Sequence, residues 1–321
     1  MSRSLPEISK QVLNEDILQG IERHYTEIIP VWAPVQLTWM NDLYRTFHDF
    51  EKFMIIMHLM TKTFETYSKN FLKLDYQEFF DQNEVEIKTI NVMEISKSLD
   101  IPKETARRKI NELEELKVIR RINKKIIVDR NTWPNIKPHE TMQRVCRFLS
   151  TLSRILYQDR LISKIISSED MVKVCKEYFS YVWKLYYDMQ IPFLLGYKKV
   201  YGDLESFHVA GTCLSNQALN SKKFDNSQMN KEIYQDKYFF IEKKYKSGIN
   251  AMSISEITGI PRATVVRKLN RLLKKKFLKV DSKKHYSSTS HQKKELVEVQ
   301  RNTLNNLSKF AERIYNLCLL K

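Results

Sequence analysis

Glycine is almost absent from this chain: 6 of 321 residues, where roughly 7% is usual. The six are scattered, so no glycine-rich phosphate loop can form, which excludes a P-loop kinase, a Rossmann enzyme and a glycine-punctuated β-barrel. Cysteine is also scarce. Cys146, Cys175, Cys213 and Cys318 stand in no metal-ligand spacing and read as small buried apolar residues in a reducing compartment. The seven histidines are dispersed with no pair at i, i+4, so no metal site is expected. Long apolar runs are lacking. The longest lies near Phe53–Met60 and includes His58, well short of the ~20 residues of a membrane span. The first residues, Met1 to Glu7, have no apolar signal core. Spaced acid pairs and a nucleophile elbow are missing too, so no enzyme, cofactor or membrane partner is expected.

Present in excess are positive charge and helix formers. The chain holds 54 Lys and Arg against 38 Asp and Glu, a net charge of +16. Such a balance points to a polyanionic partner. With few breakers, abundant Lys, Leu, Ile and Glu predict a mainly α fold. The length suits two domains of ordinary size, and 16 Tyr, 16 Phe and 4 Trp supply real cores.

The chain repeats itself. Residues Ile95–Lys125 and Ile254–Lys284 align without a gap at an offset of 159, with twelve of 31 positions identical. Two weaker matches flank them. Asp49–Phe53 resembles Asp203–Phe207 at an offset of 154, and Leu149–Arg154 resembles Leu304–Lys309 at 155. We read residues 1–160 and 161–321 as two copies of one unit, with repeated cores at about 90–130 and 250–289.

Each core reads as short helix, turn, helix, hairpin. Glu94–Leu99 and Ser255–Thr258 form the first helix. Asp100 and Gly259 take the turn, where positive φ is needed. Pro102 and Pro261 are expected at the first helical position. Ala106, Ile110, Leu113 and Leu116, and in the second copy Val265, Leu269 and Leu272, lay one buried stripe along the second helix. A basic hairpin follows: Val118–Ile122 with Ile126–Val128, and Phe277–Val280 with His285-Tyr286.

This pattern resembles the winged helix-turn-helix superfamily of transcription regulators. Gly259–Arg267 is similar to the start of the recognition helix in IclR-like and MarR-like repressors. Lys103–Arg108 resembles the recognition helix of catabolite-activator-type regulators. Long helices before each module and a helix after it resemble a MarR-family subunit, whose terminal helices form its dimer interface. The stripes Met142–Leu156 and Leu296–Ile314 suit such packing. Polar insertions between Phe71 and Ile90, and between Ser221 and Phe239, depart from that family. The resemblance implies a pseudo-two-fold chain that imitates a dimer by itself, or else a homodimer.

The windows Ile101–Lys125 and Ile260–Lys284 carry net charges of +5 and +9, most of the total excess. Glu104, Arg108 and Asn111 share one helix face, flanked by Lys103 and Arg107. Arg267 and Asn270 occupy it in the second copy, with Ala263, flanked by Arg262 and Val266. Arg can bind guanine bidentately, Asn adenine, and Glu can accept from cytosine. Thr105 and Thr264 suit a phosphate. Lys124, Lys125, Lys283 and Lys284 at the wing tips would neutralise the backbone or enter a minor groove. The alternative for each is a solvated surface charge.

Segments Tyr25–Met60 and Tyr178–Leu214 are rich in aromatics, including Trp32, Trp39, Trp183 and Tyr186. They read as packed core; the MarR resemblance implies a small-molecule effector held there. The reading as a whole is a cytoplasmic, nucleoid-associated regulator that binds double-stranded DNA at specific sequences. Two alternatives stay open: a replication-initiation protein of a mobile element, and a winged-helix adaptor that binds protein.

Overall fold

The computed structural model describes residues 7–87, 91–123, 125–129, 138–221, 248–289 and 294–320. The fold is mainly helical. The first half runs α1 (Asn14–Arg23), α2 (Tyr25–Phe47), α3 (Phe50–Lys69), α4 (Tyr76–Asp81), β1 (Glu84–Ile87), α5 (Val92–Leu99), α6 (Lys103–Glu115), β2 (Ile119–Ile122), β3 (Lys125–Asp129) and α7 (Pro138–Gln158). The second runs α8 (Ser168–Glu177), α9 (Phe179–Tyr201), α10 (Leu204–Ser221), α11 (Ala251–Thr258), α12 (Arg262–Lys274), β4 (Leu278–Val280), β5 (Tyr286–Ser288) and α13 (Lys294–Leu319). The helices α8, α9 and α10 start 154 residues after α1, α2 and α3. The elements α11, α12 and β4 start 159 residues after α5, α6 and β2.

Local chemistry recurs at the same offsets. Asn91 caps α5, its side chain accepting from the backbone N–H groups of Met93 and Glu94, and Asn250 caps α11, accepting from that of Ser253. Both helices therefore begin at these asparagines, earlier than the pattern from Glu94 and Ser255 predicts. Asp100 and Gly259 close them in the left-handed region, at φ 48° and 74°. Ser96 and Ser255 each donate a hydroxyl hydrogen bond of 2.7 Å to the carbonyl of the isoleucine five residues on. His48 and Gly202 end α2 and α9 with φ of 50° and 91°, and Lys117 and Lys276 leave α6 and α12 with φ of 58° and 60°. Pro102 and Pro261 lie one position before the expected one: with ψ near 139° and 136° they are extended caps, and the helices start at Lys103 and Arg262.

Two compact units make up the chain, and each is discontinuous in sequence. Unit 1 holds Met1–Ile17, Asp49–Leu195 and Asn305–Lys321; unit 2 holds Leu18–His48 and Gly196–Leu304. The repeat and the units thus divide the chain differently. In unit 1, α3 packs on α5, α6 and β1. Phe179, at the start of α9, sits among Phe64, Phe79 and Phe80, with centroids 5.1–6.5 Å away. In unit 2, α10 packs on α11, α12 and β5, and α2 packs on α10 and α11. Arg45 of α2 donates to the carbonyls of Glu256 and Ile257 at 3.1 and 3.2 Å, in the last turn of α11. So the module of the second half folds against α2, a helix of the first half, while the start of α9 packs on α3 and α4 of the first half.

Trp32, Trp39, Trp183, Tyr186, Tyr187 and Phe193 are buried, as a packed core requires. Three of the four cysteines are buried. Cys146 and Cys175, 29 residues apart, bring their sulfurs to 3.9 Å between α7 and α8, a proximity with no sequence signal. The stripe Met142, Val145, Leu149, Leu152 and Leu156 is fully covered. The segment after Phe71 is not all insertion loop, because it holds α4 and β1. The insertion between Ser221 and Phe239 lies outside the described residues beyond Ser221.

Gly259 tests the turn. Its φ of 74° penalises any Cβ, and a Cβ there would lie 2.9 Å from Cγ of Arg45. Gly259→Ala is expected to destabilise the protein by roughly 1–2 kcal/mol, read as a lower urea midpoint at unchanged slope.

Candidate nucleic-acid interface

Each unit presents one helix-turn-helix followed by a β-hairpin. In unit 1 the helix α6 turns Ala106, Ile110 and Leu113 inward. In unit 2 the helix α12 does the same with Val265, Leu269 and Leu272. The 3.6-residue period then forces the intervening positions outward. Lys103, Glu104, Arg107, Arg108 and Asn111 are exposed on α6, and Arg262, Arg267 and Asn270 on α12, while Thr105 and Thr264 are half-buried. Leu116, which the pattern assigns to the buried stripe, is 53% exposed because it sits past the last helical residue, as the C-cap.

An ion pair holds each outward helix to its unit at the same place. Lys109 of α6 pairs with Asp49, the cap of α3. Lys268 of α12 pairs with Asp203 at 2.7 Å, and Asp203 accepts from Ser206 N at the start of α10. Burial alone would raise the Asp203 carboxyl; Lys268 and the Ser206 amide outweigh it and hold it below the usual range. Arg271 adds a second cation to Asp203 at 2.7 Å. Asp49 and Asp203 stand out in the sequence as matching flanks, and the structure supplies their role.

The wings differ. In unit 1 the sheet has three antiparallel strands in the order β1-β3-β2, with Glu84 opposite Asp129 and Ile119 opposite Val128. Sequence reading takes β1 for part of the insertion. Among the described residues of unit 2 the wing pairs β4 with β5, Leu278 opposite Ser288, and Ile249 bridges Tyr286 on the other edge of β5, as β1 does on β3. Its tip is shaped by Asp281, whose Oδ1 accepts from the backbone N–H groups of Lys283 and His285 at 2.9 and 2.8 Å. Those bonds hold the carboxyl below its usual range. Lys283 and Lys284 project from the tip into solvent. Lys125 is exposed at the start of β3, and Lys124 lies outside the described residues.

On α12 the residues Ala263, Val266, Arg267, Asn270, Arg271 and Lys274 line a shallow groove of about 480 Å³. Its walls are cations, an amide and two small apolar groups, with no acid among them. A duplex can be met there by phosphate contacts and by base-edge hydrogen bonds.

Among the described residues, no helix is long and apolar enough to cross a membrane. Neither the curated proteins nor the solved structures yield a match to the chain. Residues 86–125, which span β1 to the first wing, match the family model of a DeoR-like helix-turn-helix domain. The repeated core of the first half is therefore similar to a helix-turn-helix domain, and the chain that carries it reads as a DNA-binding transcription regulator.

Proposed function

We propose that the protein is a sequence-specific regulator that binds double-stranded DNA with two winged helix-turn-helix units, one in each half of a duplicated chain, acting as a single-chain pseudo-dimer of MarR/IclR-like kind. One observation carries this reading: what recurs between the halves divides into residues with a structural duty and residues without one. Of the positions identical at the offset of 159, Ile95/Ile254, Ile101/Ile260 and Leu113/Leu272 fill the cores. Ser96/Ser255 tie the turn, and Lys109/Lys268 anchor the helix. Arg108/Arg267 and Asn111/Asn270 do none of this, since both pairs point to solvent. Residues repeated on an outward helix face without a packing reason are those that a second copy of the same ligand, a half-site, would require.

In this reading Arg108, Arg267, Asn111 and Asn270 meet base edges, with Glu104 and Arg107 adding contacts in the first copy alone. Lys103, Arg262, Thr105 and Thr264 meet phosphates at the helix starts, and Lys124, Lys125, Lys283 and Lys284 do so from the wings. The difference between Glu104 and Ala263, and between Arg107 and Val266, makes the preferred site an imperfect palindrome.

Selection of bound sites from random duplexes, followed by titration of the best site, tests this. Arg108→Ala or Arg267→Ala should each cost about 1–3 kcal/mol on that site and relax one base position. Lys283→Ala should weaken all sequences alike. Arginine variants with unchanged affinity and unchanged preference would overturn the assignment.

A further inference from the structure

The modules share a backbone pattern but not an electrostatic one. Helix α6 carries four basic and four acidic residues, and helix α12 carries five basic and no acidic residues. Over the whole modules the contrast holds. Glu84–Asp129 has eleven basic and nine acidic residues, net +2; Gly248–Thr289 has ten and two, net +8.

The structure shows where the acids of the first module go. Arg107 pairs with Glu104 at 3.5 Å and Arg108 with Glu112 at 3.7 Å. On the wing, Arg120 pairs with Glu84 and Asp129, Arg121 with Glu114 at 2.9 Å, and Lys125 with Glu86 at 2.8 Å. Two of these acids come from β1; at the corresponding edge of the second wing the described residues place Ile249 against Tyr286 and no acid. In the second module the positions equivalent to Glu104, Glu112 and Glu115 are Ala263, Arg271 and Lys274. Arg262, Arg267 and Lys274 stand exposed on α12 with no acid on that helix.

We infer that the two modules grip a duplex unequally: the second, Gly248–Thr289, supplies most of the phosphate neutralisation, and the first meets the duplex nearly neutral, with Arg107, Arg108, Arg120, Arg121 and Lys125 each paired with an acid of the same module. This rests on the reading of the chain as a duplex-DNA binder. An exposed ion pair is weak and can open, so an arginine of α6 can still turn to a base or a phosphate. The released glutamate then faces a phosphate a few ångströms away, and that repulsion cancels the gain. At distances near the Debye length of ~8–10 Å a paired arginine and glutamate act as a dipole, not a charge. Counterion release counts net neutralised phosphates, so it follows the second module. The module that matches a known domain family is therefore the weaker electrostatic partner.

The experiment is the salt dependence of full-length protein on random duplex DNA, for three proteins. The first is the wild type. The second is Arg262→Gln/Arg267→Gln/Lys274→Gln. The third is Glu86→Gln/Glu104→Gln, which frees Lys125 and Arg107. All five side chains are solvent-exposed, so the fold is not at stake. On random DNA Arg267 has no preferred base and meets phosphate like Arg262 and Lys274; since each phosphate contact contributes about 0.9 to the slope of log K against log salt, the triple variant should flatten it by about 2–3. The glutamate variant should steepen it by about 1–2 and tighten binding. An unchanged slope in the triple variant would overturn the inference, and so would an unchanged slope in the glutamate variant, because the first module's cations would already be on phosphates. Wild-type protein that does not bind duplex at all would instead remove the DNA reading, and this inference with it.

Discussion

Raising monovalent salt from 50 to 200 mM is expected to lower the affinity for random duplex DNA by a factor of about 10²–10⁴, measured by fluorescence anisotropy. The figure follows from four to eight neutralised phosphates and a slope of about −4 to −7. The motive is the placement of the charge. The chain carries +16 in total, and +14 of it lies within two windows of 25 residues, Ile101–Lys125 and Ile260–Lys284. The structure puts most of these side chains on outward surfaces of α6, α12 and the wings, where water and counterions surround them in the free protein. Binding DNA releases the duplex's counterions at small desolvation cost. A flat response to salt would remove nucleic acid as the main partner, whatever the fold of the modules.

The second large effect concerns stability and leaves DNA aside. His208 is fully buried in α10, with Nε2 2.8 Å from Oδ1 of Asn41. Burial pushes its imidazole down from the usual 6.5 to about 3, so the ring is neutral in the folded protein. The unfolded chain has no such penalty and takes up a proton below about pH 6.5. The stabilisation from a neutral His208 is thus complete above pH 6.5 and is lost as pH falls from there toward 3. The loss is about 1.4 kcal/mol per pH unit, or roughly 3 kcal/mol between pH 6.5 and 4. His208→Gln keeps a donor for Asn41 and removes the titration. Urea unfolding of both proteins across this range should show the wild-type curve falling more steeply toward acid. Parallel curves would mean that His208 is solvated enough to charge in place.

The helix-turn-helix cores were legible in the sequence because they are governed by short-range rules. A turn needs positive φ, so Asp100 and Gly259 announced it. A packed two-helix core needs one apolar stripe, so Ala106, Ile110 and Leu113, with Val265, Leu269 and Leu272, announced the buried faces and left the outward ones by subtraction. The strand β1 was missed although Glu84-Val85-Glu86-Ile87 alternates, with Val85 and Ile87 buried, because four residues inside a polar segment are a short signal. It becomes a strand only by pairing with β3, some 40 residues on.

The sequence by itself determined the class of fold, the recurrence of the helix-turn-helix pattern and the concentration of positive charge on it, since composition, period and turn chemistry are local properties. Tertiary structure alone decided which charges count and which helices keep company. Glu84 and Glu86 reach Arg120 and Lys125 only through strand pairing, and Lys109 and Lys268 reach Asp49 and Asp203 only through the packing of α3 on α6 and α10 on α12. Likewise α2 belongs to unit 2, and the start of α9 to unit 1. Apolar stripes specify that a helix must be covered and do not name the helix that covers it, so partner choice between two similar halves rests on three-dimensional fit.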